Sequence, residues 1–541
     1  MTGDAGRREY LRGLAAGAVV FSGCVGNGFE ETPTRPPPTG VPPTETSVPT
    51  DGPPGTPEPD IGPFEQVVDA VDELGCDPTG ETSCTSELTA GLTANNLVRL
   101  PAGQYQLGEP VEITSEGPVG LFGDGVVDLL PTPGFAEKIL SVDAPSFLLQ
   151  DIEIDITAPE TTAGIHVACD EQFHIDSVTY RGRGTHPNPN VPFACNLRIR
   201  NPSGNGLIRN LTAPHGSAIG HYKNAGGRGG IWIGSGHRGT IRVEDCHLEE
   251  FGNNGIYASR TSGNVEIVGG LYRNNNVAGI RFGGEGSYAE NVTIEVDLDD
   301  YSGPRTRMDH SFFTRGIVIE QGPEPGIKDP GAAVIDCDIA MRNSPSGGGA
   351  ISMWAAGRTL YVRDTRIRTD IDGAPGILRA PMNIDDGPGP SEPPRYVHLE
   401  NVEISGTASG GACLSITDAP NCLLENCRIQ QSGTDRHGIE FINSPRPVID
   451  GGSIISSVPL SIVPGSRVRT DTCLVEFKND PTLEATTGTS NRVPETNVEI
   501  PTGGCLSPDH LPESLADRQL RILETNGDEL YYEIGEERSH Q

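Results

Sequence analysis

Two short segments concentrate the side chains that could do chemistry. Residues 213–229 hold His215, His221, Tyr222, Lys223 and Arg228, and the turn 234–239 adds His237 and Arg238. Residues 297–315 hold Asp297, Asp299, Asp300, Tyr301, Arg305, Arg307, Asp309, His310 and Arg315. Acids, bases and imidazoles mixed in this way suit two reactions. Proton abstraction beside a uronate carboxylate needs a base, and a cation or metal to hold that carboxylate. Hydrolysis of a glycosidic bond needs two carboxylates roughly 5–9.5 Å apart. The candidate catalytic residues are therefore His237, Asp299, Asp300, Asp309, His310 and Arg315. Both chemistries stay open, beside the plain alternative of charged, solvated loops. The aspartates also offer oxygen ligands of the kind calcium takes. No Cys or His spacing matches a zinc site.

A second set is defined by spacing. Trp232, Tyr257 and Arg281 follow one another at steps of 25 and 24 residues. Two aromatic faces and a guanidinium suit a sugar chain: rings for its C–H groups, and a cation for a carboxylate. These three are the candidate substrate-binding residues. The alternative is that a neighbouring loop covers them.

The elements that would position these residues come from an internal repeat. Gly followed by an apolar residue recurs at Gly164-Ile165, Gly230-Ile231, Gly255-Ile256, Gly279-Ile280, Gly316-Ile317, Gly376-Ile377 and Gly438-Ile439. Out of phase with it, Asp or Asn recurs at Asp151, Asn210, Asp245, Asn291, Asp336, Asp364, Asn401 and Asn426. Residues 230–254 show one unit. Ile231-Trp232-Ile233 alternates as a strand, and 234–239 is a turn. Thr240 to Glu244 is a second strand, Asp245 is a bend, and Cys246 to Phe251 is a third strand. Alternation assigns directions: the residue after each Gly points inward and the next points outward. The outward row then reads Trp232, Tyr257, Arg281, Val318, Leu378, Cys413 and Glu440. Cys246, Cys337 and Cys427 each follow a bend residue, so they read as small buried hydrophobes. The sequons at Asn210 and Asn291 coincide with bends, which argues against their modification.

Three short strands and three turns per coil resemble the pectate-lyase-like right-handed parallel β-helix, over roughly residues 63–505. In that family the bend between second and third strands carries an asparagine ladder, and the outer face of the first strand forms the substrate cleft. The entry segment resembles the same superfamily. Phe64, Val67, Val68, Val71 and Leu74 have helical spacing, and Leu100-Pro101-Ala102-Gly103-Gln104-Tyr105 matches its opening "LPAGxY". The resemblance implies an N-terminal helix over 64–74 capping the first coil, where strand edges and core would otherwise be exposed. Cys76 with Cys84 is the favoured disulfide pair, in a loop near this lid. Two catalytic patterns of the superfamily bear on these residues. The calcium-binding aspartate cluster and cleft arginine of pectate lyases find matching residue types in Asp297, Asp299, Asp300 and Arg315, but no motif. Polygalacturonase motifs find Gly236-His237-Arg238-Gly239, Arg366-Ile367-Arg368 and Asp385-Asp386 in the wrong order. The sequence carries neither mechanism's motif set.

The ends of the chain differ from the repeat. Arg7-Arg8-Glu9-Tyr10-Leu11-Arg12, an apolar stretch from Leu14 to Phe21, and Phe21-Ser22-Gly23-Cys24 resemble a twin-arginine signal with a lipobox. That resemblance implies export, lipidation at Cys24 and an extracellular, cell-surface location, with the membrane met only through the anchor. Residues 25–62 form a linker rich in Pro and Thr, with almost nothing to bury. Residues 506–541, with Asn526-Gly527 between two apolar runs, read as a small cap or hairpin.

The chain has 541 residues and 74 acidic against 39 basic side chains, a net charge of −35. Only Lys138, Lys223, Lys328 and Lys478 are lysines, a balance that resembles proteins of salt-loving archaea. A polyanion cannot replace phosphate counterions, so nucleic acid is excluded as a partner. The expected partner is a polysaccharide or surface glycan, bound or degraded by a lyase or hydrolase. The alternative is a non-catalytic glycan-binding or adhesin protein.

Overall fold

A computed structural model describes residues 64–462, apart from 188–189, 219–226, 305–311, 322–330 and 382–394. It also describes the strand backbone of Arg469–Thr470, Cys473–Lys478 and Gln519–Leu523. The segments read as signal and linker, with Cys24, lie outside the described residues. So do His221, Tyr222, Lys223, Arg305, Arg307, Asp309, His310 and Asp385-Asp386. Most of the 506–541 segment does too.

The fold is a right-handed parallel β-helix, as the repeat predicts. The coil read over 230–254 appears as strands Gly229–Ile233, Thr240–Glu244 and His247–Glu249. Each strand pairs in parallel with the strand one coil on: Ile231 with Ile256, Val243 with Ile267, and Leu248 with Tyr272. One inward column of the first strand runs through Ile165, Cys195, Ile231, Ile256, Ile280, Ile317, Ile351, Ile377, Leu414 and Ile439. All ten are buried. The outer face of the third strand is an ion ladder. Arg366 grips Asp338 through two bonds of 2.6 Å, and Arg428 lies 3.6 Å from Glu403.

The bend residues explain the second sequence signal. Asp151, Asn210, Asp245, Asn291, Asp336, Asp364, Asn401 and Asn426 all have φ between 48° and 56°. This is the left-handed region, where Asn and Asp are the least strained of the side-chain-bearing residues. Their amides also stack: Asn426 Nδ2 donates to Asn401 Oδ1 (2.8 Å), and Asn401 Nδ2 donates to Asp364 Oδ1 (2.9 Å). Cys246, Cys337 and Cys427, one residue after the bends, point inward and are at most 4% exposed.

The entry segment corrects one expectation. Residues 64–74 do not form a helix: Gln66–Asp69 is a strand paired in parallel with Asn96–Arg99, and Asp69 starts a tight turn. Asp69 Oδ1 accepts from the backbone N–H groups of Val71 and Asp72, satisfying that turn locally. The helix at this end is Thr85–Gly91, packed so closely that Leu74 fills the space beside Gly91. Helical spacing misled because Val67 is 59% exposed, while Val68 and Ala70 are buried and Val71 and Leu74 pack on the core from the turn after the strand. Tyr105 of the "LPAGxY" segment is fully buried, and its hydroxyl donates to the Pro101 carbonyl (2.7 Å). No described helix is long and apolar enough to cross a membrane.

The ladder is directly testable. Asn401→Ala loses two side-chain hydrogen bonds and must hold a left-handed φ, so it should destabilise by roughly 2–3 kcal/mol. Asn401→Gly loses the bonds but not the conformation, and should cost about 1 kcal/mol less. Denaturant midpoints of the two variants check this; equal losses would discount the backbone contribution.

Candidate functional site

The register places the outward column of the first strand without ambiguity. It runs Glu112, Ser141, His166, Asn196, Trp232, Tyr257, Arg281, Val318, Ser352, Leu378, Ser415 and Glu440. Two corrections follow. Cys413 is not in this column: Leu414 lies against Ile377 and Ser415 against Leu378, so Cys413 is buried just before the strand's inward position. Ser352 belongs to it, and escaped the repeat because Ala350 replaces glycine ahead of Ile351.

Burial divides this column. Ser141, His166, Asn196, Trp232 and Tyr257 are half-buried, whereas Arg281, Val318 and Ser352 are sealed at 5%, 0% and 0% exposure. Arg281 therefore cannot hold a substrate carboxylate as its spacing suggested. Its guanidinium lies between Tyr257 (4.6 Å) and Trp354 (4.5 Å), and its Nε donates to Glu320 (2.7 Å). Glu320 is fully buried and also takes Arg260 (2.8 Å) and the Ser259 hydroxyl (3.1 Å). Burial pushes the Glu320 carboxyl up, but Arg281 and Arg260 outweigh it and hold the group below its ordinary value. Arg315 continues the stack, 4.3 Å from Phe313 and 5.5 Å from Trp354, and is 5% exposed. The sequence carried no local sign of Glu320. Its partners come from the two preceding coils.

Among the described residues, the other expected catalytic groups do not converge either. His237 is fully buried in its turn; Nδ1 accepts from the Ile199 N–H (3.3 Å) and Nε2 bonds the Asn264 carbonyl (3.0 Å). Burial pushes its pKa down to about 4. With both nitrogens committed to backbone, His237 holds successive coils together. Asp299 and Asp300 are exposed turn residues that follow the strand Thr293–Asp297. They and His237 lie in turns on opposite margins of the first-strand face. Ser302 and Tyr301 tether the insertion: Ser302 N–H donates to Glu250 (2.6 Å), and Arg183 lies over the Tyr301 ring (5.7 Å). Among the described residues, no three His, Cys, Asp or Glu side chains could together hold a metal ion.

What the column offers instead lies N-terminal of the sealed stretch. Trp232 stacks on Phe193 (5.7 Å, 16° between planes), and Phe193 meets Tyr257 edge-on (6.5 Å). Beside this aromatic step come Asn196 and His166, each one coil earlier. His166 is held neutral: burial, then Lys138 and Arg198, push its pKa down to about 4, with Asp143 opposing. Its Nδ1 is buried without a hydrogen-bond partner, and so is Arg198 Nε. A buried lone pair costs less than a buried orphan N–H, which favours the tautomer protonated on Nε2. Neither Lys138 nor Arg198 makes an ion pair with a described carboxylate, although the chain carries 74 of them. The result is a half-buried, cationic patch on a strongly anionic protein. Sequence reading missed it although the signal was present, since Gly164-Ile165-His166 obeys the same rule that picked out Trp232.

No protein-family model matches the chain, and no curated protein matches it by sequence. Solved structures share its architecture. The A-module of the Azotobacter vinelandii mannuronan C-5 epimerase AlgE6 is 13% identical, covering 75% of this chain and 99% of its own, with a TM-score of 0.40. PfbA, a surface adhesin of Streptococcus pneumoniae, is 11% identical over 76% of this chain and 89% of its own, with a TM-score of 0.33. The Agl-KA catalytic domain is 13% identical over 76% of this chain and 65% of its own, with a TM-score of 0.35. These are likenesses of architecture alone.

Two outcomes are expected. Glu320→Gln leaves two guanidinium groups without their counter-charge in a sealed site, and should cost roughly 3–5 kcal/mol in a chemical denaturation experiment. For His237, the unfolded side chain binds a proton below about pH 6.5, while the folded one stays neutral until about pH 4. The unfolded state therefore binds more protons in that window, so this contribution is complete above pH 6.5 and shrinks as pH falls toward 4. His237→Gln should be less stable than wild type at pH 7, with a gap that narrows toward pH 4.5. A gap independent of pH would mean that burial leaves the proton affinity of His237 unchanged.

Proposed function

We propose that this protein binds an acidic polysaccharide along the first-strand face from Ser141 to Tyr257. The observation that carries the reading is the His166, Lys138 and Arg198 patch, with no ion pair from either cation to a carboxylate among the described residues, and with His166 one coil from Asn196 and two from Trp232. Two cations and a neutral imidazole N–H suit a uronate carboxylate. The half-exposed Trp232 and Tyr257 suit the C–H faces of neighbouring sugars. Successive coils lie about 4.8 Å apart, close to the length of one sugar unit, so a chain can run along the column. An acidic glycan would otherwise be repelled by a net charge of −35, which makes a local unpaired cationic patch informative. Arg7-Arg8 and the lipobox-like Cys24 support placing this binding outside the cell, on an anchored protein.

The face also favours a second reading, processing of the bound chain. Carboxylate neutralisation by Lys138 and Arg198 acidifies the adjacent C–H, and the Nε2–H of the neutral imidazole can donate to the oxyanion that develops.

The test is binding of the full chain to a panel of uronate and neutral polysaccharides, at several salt concentrations. Uronate polymers should bind, with an affinity that falls as salt rises. Lys138→Ala and Arg198→Ala should each weaken binding about tenfold or more, and Trp232→Ala by a similar factor. Equal retention of neutral and uronate polymers, unchanged in these variants, would overturn the reading. Absorbance near 235 nm would mark a lyase, and new reducing ends without it a hydrolase. Solvent hydrogen entering the polymer without cleavage would mark reversible proton abstraction. Any such activity should fall about 100-fold or more in His166→Asn; full activity in that variant would exclude the imidazole.

A further inference from the structure

The N-terminal cover of the helix contains a chemically distinct pair of thiols. Cys76 follows the turn that closes strand Gln66–Asp69, its N–H bonded to the Ala70 carbonyl (2.8 Å). Cys84 is the residue immediately before helix Thr85–Gly91, its N–H bonded to the Gln106 carbonyl (2.9 Å). The two side chains are 3% and 0% exposed. They are close neighbours: the Cys84 sulfur lies 3.9 Å from the carbonyl of Asp77, the residue after Cys76, and each thiol acts on the ionisation of the other. This contact pushes the Cys76 thiol up and holds Cys84 below its ordinary value.

The remaining described cysteines behave differently. Cys246, Cys337 and Cys427 sit in the ladder column and give their S–H to carbonyls two residues back, at 3.5, 3.1 and 3.5 Å. Burial pushes each of them up to about 12, as it does Cys413 and Cys422. Each is a protonated, enclosed thiol, poorly suited to attack a disulfide.

We propose that Cys76 and Cys84 close into an intramolecular disulfide that staples the N-terminal cover to the first coils. The oxidant is a disulfide of the glutathione or thiol-oxidoreductase class. The Cys84 thiolate attacks one oxidant sulfur, forming a mixed disulfide and expelling the other sulfur as thiolate. Cys76 gives up its proton and attacks the Cys84 sulfur, expelling the second thiolate. Two protein thiols are oxidised and one oxidant disulfide is reduced to two thiols, whose expelled thiolates take up the two protons that Cys76 and Cys84 gave up. Because both sulfurs are enclosed, the exchange takes place during folding or when the cover opens, and the finished bond is shielded from reductant.

The bond has a structural purpose. It joins the turn after the first strand to the start of the helix whose Leu88 and Gly91 cover the core end. That end is where strand edges would otherwise be open. Closing the short loop between the two cysteines restricts opening of the cover while leaving the coils beyond it untouched.

The experiment compares the full chain refolded with oxidised glutathione against the same chain kept in reductant. Cysteines are alkylated under denaturing conditions before and after reduction, and labelled sites are mapped. In the oxidised sample Cys76 and Cys84 should resist the first reagent and take the second, with a mass about 2 Da lower before reduction. The ladder cysteines should take the first reagent in both samples. Amide hydrogen exchange across 70–92 should run on the order of tenfold faster in the reduced protein, and exchange across 230–300 should not change. The comparison uses the unaltered sequence, so it does not depend on a variant folding. Cys84→Ser, matching the reduced exchange pattern under oxidising conditions, gives the independent check. Both thiols free after oxidative refolding, or a bond from either to a ladder cysteine, would overturn the proposal.

Discussion

Parallel hydrogen bonding from one coil to the next is the constraint on which everything else rests. A strand that pairs with the strand one coil earlier must carry each residue directly over its predecessor, as Ile231 lies over Cys195 and under Ile256. Each bend must therefore recur at the same place. A sharp bend between two strands needs a left-handed residue, and eight coils place Asp or Asn there with nearly the same φ. The stack then turns this local need into stabilisation, because amides one coil apart can bond, as Asn426, Asn401 and Asp364 do.

The same geometry explains why the basic residues are nearly all arginine. A guanidinium is planar, carries several donors and reaches carbonyls of different coils at once. Arg436 is fully buried and bonds Gly410 one coil back and Ala374 two coils back, each at 2.7 Å. Arg228 likewise reaches Gly216 and Ala163. Arg379 occupies an inward position of the first strand, between Met353 and Ile416. It bonds the Trp354 and Ala380 carbonyls, and burial pushes its pKa down to about 10. A lysine ammonium has neither the reach nor the planarity for these positions. One of the few lysines, Lys138, stands instead beside His166.

The first-strand face shows how one scaffold can spend similar residues differently. Arg281 and Tyr257 occupy adjacent coils in the same outward column, yet Arg281 is sealed by Trp354 and Glu320 while Tyr257 remains half-exposed. What decides is the loop beside each coil. Where segments 312–321 and 354 pack over the face, the column becomes a second, polar core. Where they do not reach, from Ser141 to Tyr257, it stays half-exposed and carries Lys138 and Arg198 beside His166.

By itself the sequence determined the repeat, the three strands per coil, the ladder bends and the inward cysteines. All of these follow from nearest-neighbour spacing and the conformational preference of single residues. It also placed Trp232, Tyr257 and Arg281 in one column, because alternation within a strand is local. It misplaced the capping helix, since the spacing of Phe64 to Leu74 fits a helix equally well until Gln66–Asp69 pairs with a distant strand. Only the tertiary structure decided which outward residues are covered, that His237 is bonded to backbone on both sides, and that His166 Nδ1 is buried without a hydrogen-bond partner. Those facts depend on loops packing across coils tens of residues apart, and no spacing within one coil encodes them.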